Sequence, residues 1–284
     1  MRCRSGWPVC LAALMTVMLS PAVADPPPAV SGLPALGPAR IASMEDGHSL
    51  RLADGRTLRL AGIIAPLPER DADLEGRGRA DAARQALIAV AGDGVIQLYG
   101  AVVSPDRYGR LVAQAVTADG VWLQDALLRQ GVVRLWPLHD DAQTLDALHT
   151  AEQAAREARR GLWRTWRYGV QDAASVTAPP GRFVIVRGRV LEAAKLGGTV
   201  YLNFGTDWRS DFTVQMDWPA RRRLPQARRD ADWWRGREIE ARGVLERLNG
   251  PLIKLTVPGQ IRVIEAASEA QADENADPIA VGRN

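Results

Sequence analysis

The chain reads as an α+β protein, mainly β with helices, built as two units. Three observations predict this. Short runs of alternating apolar residues are closed by Asp-Gly and Asn-Gly turns, the signature of antiparallel hairpins. Apolar residues at helical spacing appear between those runs. A stretch rich in Ala and Pro at 167–180 separates two regions of opposite charge balance: residues 41–166 carry 15 basic and 17 acidic residues, and residues 181–265 carry 16 and 10.

In chain order, residues 25–40 are rich in Pro and Gly and read as a flexible lead-in. Strand signals begin at Ile41. Leu50 to Leu52 and Leu58 to Leu60 alternate around the turn Ala53-Asp54-Gly55-Arg56, a predicted hairpin. Residues 79–91 form a helix with Ala83, Leu87 and Val90 on one face, and Val95–Tyr99 and Leu111–Thr117 are strands. A short helix runs from about Trp122 to Gln130 and stops at Gly131; Val132–Trp136 is a strand, and Thr144–Arg160 a helix stopped by Gly161. Residues 167–180 read as a linker. The second unit, 181–265, offers strands at Phe183–Leu191, Val200–Phe204 and Phe212–Met216. A helical or loop segment at Pro219–Arg235 follows, then strands at Glu238–Leu245 and Leu252–Leu255 around Asn249-Gly250, with Ile261–Ile264 as an extension. Three strands, a helical insert and two strands is the order of an OB-like barrel, though another antiparallel class with a helix shares it. Residues 266–284 are small and acidic, the composition of a disordered tail.

Residues 1–24 read as an export signal: Arg2 and Arg4, an apolar run from Pro8 to Leu19, and Ala22-Val23-Ala24 as the cleavage site. That run is shorter than a membrane span, although a retained anchor is the alternative reading. The chain is then expected to be exported, periplasmic or secreted, with no transmembrane span after signal removal. Both cysteines, Cys3 and Cys10, lie in the signal, so the mature chain would have no thiol for catalysis or zinc. The whole chain has a formal charge of +3. Without Arg2 and Arg4 it is nearly neutral, which excludes a polycationic nucleic-acid binder.

Three segments carry a family resemblance: Asp46-Gly47-His48-Ser49, Arg59-Leu60-Ala61-Gly62-Ile63-Ile64-Ala65-Pro66-Leu67, and Asp106-Arg107-Tyr108-Gly109-Arg110. Together they resemble the staphylococcal-nuclease (thermonuclease) family, whose motifs read D-G-D-T, R-L-x-G-I-D-x-P-E and D-x-Y-G-R. Gly131 to Arg134 and Arg160 to Trp163 extend the resemblance over about 41–166. It implies an OB-type five-stranded barrel with helices packed on it, a calcium ion held by carboxylates, a glutamate as base, and two arginines on the phosphate. The arginines persist as Arg59 and Arg110. The three acidic positions hold His48, Ile64 and Leu67. An imidazole suits softer metals than calcium, and two aliphatic chains offer no ligand. No cofactor is therefore predicted. A divalent metal enters only if the site is rewired, with His48 and Glu69, two residues past the missing glutamate, as the substitute base.

Arg59 and Arg110 can grip phosphate oxygens or pair with a carboxylate such as Asp106. Arg107 and Tyr108 can border a nucleotide by charge and stacking, or Tyr108 can pack on the barrel. In the second unit Arg221, Arg222 and Arg223, with Arg228, Arg229, Trp218, Trp233 and Trp234, read either as a surface for single-stranded nucleic acid or as a solvated helix whose tryptophans pack inward. His139 and His149 are too distant in sequence for a local metal motif, and His149 reads as a surface or packing residue. No G-x-x-x-x-G-K-[ST], H-E-x-x-H or G-x-S-x-G pattern occurs. Three functions stay open: an exported nuclease-like protein that binds nucleic acid, another polyanion or an envelope partner without cutting; a phosphodiesterase with a rewired site; and an envelope assembly protein with both barrels as docking modules.

Overall fold

The computed structural model describes residues 24–67, 74–100, 105–137, 142–207 and 209–264. Residues 1–23, nearly all of the segment read as an export signal and including both cysteines, lie outside the described residues, as do Glu69, His139 and residues 266–284, read as a tail. No helix among the described residues is long and apolar enough to cross a membrane.

The first barrel opens earlier than the composition suggests. Residues 25–40, read as lead-in, hold a short helix α1 (Pro28–Ser31) and the first strand, β1 (Ala35–Met44). Proline and glycine do not prevent strand pairing here, because register shifts next to Gly37 and Ile41 accommodate the bends. This long strand pairs with β2 (Ser49–Leu52) at one end and with β5 (Val95–Tyr99) at the other. The Asp54-Gly55 turn joins β2 to β3 (Thr57–Leu60), and β3 runs parallel to β6 (Leu111–Thr117). The order β1-β2-β3-β6-β5 closes into a barrel. Alternate residues Leu50, Leu52, Leu58, Leu60, Ile96 and Leu98 fill it, as period-2 alternation requires.

Three helices pack outside. α2 (Leu74–Ala91) buries Ala83 and Leu87. α3 (Leu123–Gln130) ends at Gly131 in the left-handed region (φ 70°), and α4 (Ala142–Glu157) buries Leu148, Ala151 and Ala155. The predicted strand at 132–136 contracts to β7 (Arg134–Leu135), which pairs with β4 (Ile63–Ile64) as a two-stranded ribbon beside the barrel.

The segment read as a linker is partly structured. β8 (Val170–Asp172) runs parallel to β9 (Phe183–Arg189) and belongs to the second sheet. β9 continues through Val190 and Leu191 into β10 (Glu192–Leu196), then β11 (Thr199–Asn203), β12 (Thr213–Met216), β13 (Glu238–Leu248) and β14 (Gly250–Leu255). β9 pairs with β13 and β10 with β11; β12 is parallel to β14, and β14 antiparallel to β13. Taking β9/β10 as one bent strand, the circuit closes in the same strand order as the first barrel. Between its third and fourth strands lie α5 (Trp218–Arg221) and two short 3-10 turns; β15 (Ile261–Val263) adds to β13. Asn249, at φ 65°, makes the tight β13–β14 turn.

Candidate functional site

His48 and Ser49 enter β2, Arg59 lies opposite Ser49 on β3, and Arg110 immediately precedes β6, the parallel neighbour of β3. The barrel thus gathers the three sequence motifs at one end. Asp46 shapes the entry: its Oδ1 accepts the backbone N–H groups of His48 and Ser49, both at 2.7 Å. Burial raises the Asp46 pKa above its ordinary value, against the pull of those two bonds.

His48 is buried, and its Nδ1 accepts the Ala65 N–H at 3.3 Å. Burial, reinforced by the positive charges of Arg59 and Arg110, holds its pKa well below the usual imidazole value. The 3.1 Å approach of Asp46 Oδ1 to Nδ1 is therefore not an ion pair at neutral pH. Arg59 is buried too. Its Nη2 donates to the Ile63 carbonyl at 3.2 Å and its guanidinium lies 5.3 Å from the Trp136 ring centroid. Burial and then the charge of Arg110 lower its pKa to about 10. His48 and Arg59 thus both serve the backbone of the loop that follows β3.

Arg110 is held differently. Its Nε and Nη2 donate to Asp106 Oδ2 at 2.9 and 2.7 Å, while Asp106 Oδ1 accepts the N–H groups of Tyr108 and Arg110. Burial would raise the Asp106 carboxyl, but the Arg110 guanidinium and the two N–H groups prevail and hold it below its ordinary value. Tyr108 projects from this turn, 67% exposed, with the guanidinium groups of Arg107 and Arg110 at 4.9 and 5.1 Å from its ring.

A family model described as "Staphylococcal nuclease homologue" matches residues 57–165. Two relatives, one from Escherichia coli O157:H7 and one from Escherichia coli, are each 30% identical over 127 residues, covering 44% of this chain and 75% of the relative; both are named "Uncharacterized endonuclease". The chain belongs to the staphylococcal nuclease homologue family. The second barrel lies beyond the residues that the family model matches.

This staphylococcal nuclease homologue does not fit the calcium ion that its family resemblance implies. Calcium requires several oxygen ligands. Here one acidic position holds an imidazole whose Nδ1 accepts a loop N–H, and the second, Ile64, is a buried aliphatic chain. The third, Leu67, lines an interdomain cleft with Phe183 and Tyr168. Of the nearby carboxylates, Asp46 is tied through Oδ1 to backbone and Asp106 is bound to Arg110. Among the described residues, no group of three His, Cys, Asp or Glu side chains converges.

The second barrel divides the arginine and tryptophan cluster. Arg221 and Trp234 belong to the interior, at 4% and 1% exposure; for Trp234 this is the inward-packing alternative, whereas Arg221, solvated in both readings, is corrected to a buried residue. The Trp234 indole fills the barrel core and its Nε1 donates to the Arg228 carbonyl at 2.9 Å. Arg222 and Arg223 are exposed, and Trp233 is half-buried with Arg237 and Arg228 at 4.1 and 5.0 Å from its ring. His149 on α4 faces charged neighbours, and burial followed by Arg242 and Arg262 lowers its pKa to about 3.

What the sequence did not signal is a buried charge cluster between the barrels. Glu152 on α4 and Glu240 on β13 are both 1% exposed. Arg242 bonds both, at 3.0 and 2.5 Å, and Arg156 bonds both, at 2.7 and 2.8 Å. Arg187 and Arg262 approach Glu240 at 3.5 Å. Burial opposes ionisation of Glu240, but Arg242 and Arg156 hold it well below the ordinary carboxylate range. In sequence, Glu238-Ile239-Glu240-Ala241-Arg242 reads as an ordinary alternating strand.

Proposed function

We propose that this protein is an exported, nuclease-fold binding protein that engages single-stranded nucleic acid or a similar polyanion and does not cut it. The observation that carries the reading is the use of His48 and Arg59 as hydrogen-bond partners of the Ile63–Ala65 backbone, beside aliphatic chains at 64 and 67. A phosphodiesterase needs a cation, an activated water and a stabilised transition state, whereas here His48 Nδ1 and Arg59 Nη2 are taken up by loop backbone and residues 64 and 67 offer no ligand. The ligand-facing element is Tyr108 with Arg107, an exposed aromatic flanked by positive charge, suited to stacking a base beside a phosphate.

Cleavage of single-stranded DNA and RNA by residues 25–284, in calcium, manganese, zinc and chelator, tests the reading. The expected result is no turnover with any metal. Metal-dependent turnover that disappears in Arg59→Ala/Arg110→Ala would overturn it. The names of the two E. coli relatives favour a second reading, a phosphodiesterase rebuilt around His48 and Glu69. That reading requires His48→Ala and Glu69→Gln each to abolish cleavage.

A further inference from the structure

Residue 64 has a specific neighbour. On the β4–β7 ribbon, Ile63 points into the first barrel core and Ile64, one residue on, points to the opposite side. There Ile64 forms an apolar cluster with Phe183 and Ile185 of β9, bordered by Trp136 and Trp163. The Trp136 and Phe183 rings lie 5.6 Å apart. Arg134, the ribbon partner of Ile64, lies between rings from both sides of the junction, 4.8 Å from Phe183 and 5.3 Å from Tyr168. The ribbon's backbone is held from the second barrel as well: Arg242 Nη1 donates to the Leu135 carbonyl at 3.0 Å. Ala65, Pro66 and Leu67 continue along the same cleft.

We propose that residues 64–67, which in the resembled family form a metal-holding loop, serve here as the docking seat of the second barrel, with Ile64 and Phe183 as its two apolar anchors. The second barrel then acts in cis as a fixed cover on this face. This goes beyond the binding reading, because it assigns a positive role to the aliphatic substitution. An aspartate at 64 would place a carboxylate against Phe183 and Ile185, and charge there is costly to bury without a partner. Restoring the family's residue would therefore unseat the second barrel rather than rebuild a metal site.

A double-mutant cycle on the full chain tests the seat: Ile64→Ala, Phe183→Ala and the double variant, read as urea midpoints. Each single change is expected to lower the midpoint, and the double to lower it by less than the sum. Additive effects would show that the two residues act independently and would overturn the proposal. Should the alanine variants not fold, Ile64→Val and Phe183→Leu give the same cycle with smaller steps. A second arm adds calcium to Ile64→Asp. The expected result is no calcium-dependent rise in the midpoint, or no calcium-dependent recovery of folding; a rise or recovery would overturn the proposal. A chain that cuts nucleic acid yet shows coupling in the cycle defeats the binding reading and leaves this one standing.

Discussion

Arg242 in the second barrel donates from Nη1 to both the main-chain carbonyl of Leu135 and the Glu152 carboxylate in the first, each at 3.0 Å, and its side chain is 1% exposed. One guanidinium thus satisfies a ribbon edge and a buried acid across the junction. Removing it leaves the two buried carboxylates, Glu152 and Glu240, to share Arg156 as their close partner. Arg242→Met is expected to cost about 3–5 kcal/mol, the range for a broken buried pair. Chemical denaturation measures it, and adding Glu240→Gln to the same chain should cost less than in the wild type.

Glu240 and His149 both shape the acid side of the stability profile, together with buried His48, whose depressed pKa acts with the same sign as that of His149. The Glu240 pKa is depressed in the fold, so its contribution is full above its unfolded value near 4.5 and is lost as pH falls through the lower folded value. His149 titrates at about 3 when folded against 6.5 unfolded, so the unfolded chain binds the proton first as pH falls. Both effects have the same sign. Thermal midpoints should fall continuously from about pH 6.5 to pH 3, and His149→Gln should flatten the upper part of that slope.

His48→Ala removes the acceptor for the Ala65 N–H in a buried setting. An unsatisfied donor there costs about 1–3 kcal/mol. Urea unfolding should show that loss, and nucleic-acid affinity should not change in the binding reading.

Gly131, which ends α3, and Gly161 make a backbone crossing; α4 already ends at Glu157, with Arg159 in the left-handed region, so Gly161 is not the helix stop expected from the sequence but opens a 3-10 turn. Leu162 N–H donates to the Gly131 carbonyl at 2.8 Å, and a Cβ on Gly161 would lie 2.4 Å from that oxygen. Gly161 also adopts φ 52°, where side chains are strained. Gly161→Ala should destabilise by more than about 1 kcal/mol, measured by the same unfolding curves.

Tyr108 is exposed, so Tyr108→Ala should leave the unfolding midpoint unchanged. If it stacks a base, affinity for a short single-stranded oligonucleotide should fall by about 1–3 kcal/mol per base stacked. Fluorescence anisotropy at fixed salt reads the change.

Much of the fold was legible because local rules govern it. The Asp54-Gly55 and Asn249-Gly250 turns, the strands at 95–99 and 111–117, and the Gly131 helix stop follow from turn chemistry and periodicity. Strand β1 was not fully legible, because it starts among prolines and glycines and bends at irregular register. Strand β8 was hidden because three residues carry too little pattern to separate from a linker.

By itself the sequence determined most strands and turns of both units, the family, and the presence of His48, Ile64 and Leu67 where the family resemblance implies acidic residues. Tertiary structure alone decided what those replacements touch. Alternation states that Ile64 faces away from Ile63, but not that Phe183, well over 100 residues later, covers it. The same holds for Arg221, Trp234 and the Glu152–Arg242–Glu240 cluster: a charge or an indole reads as surface or interior only once a distant segment has excluded water from it.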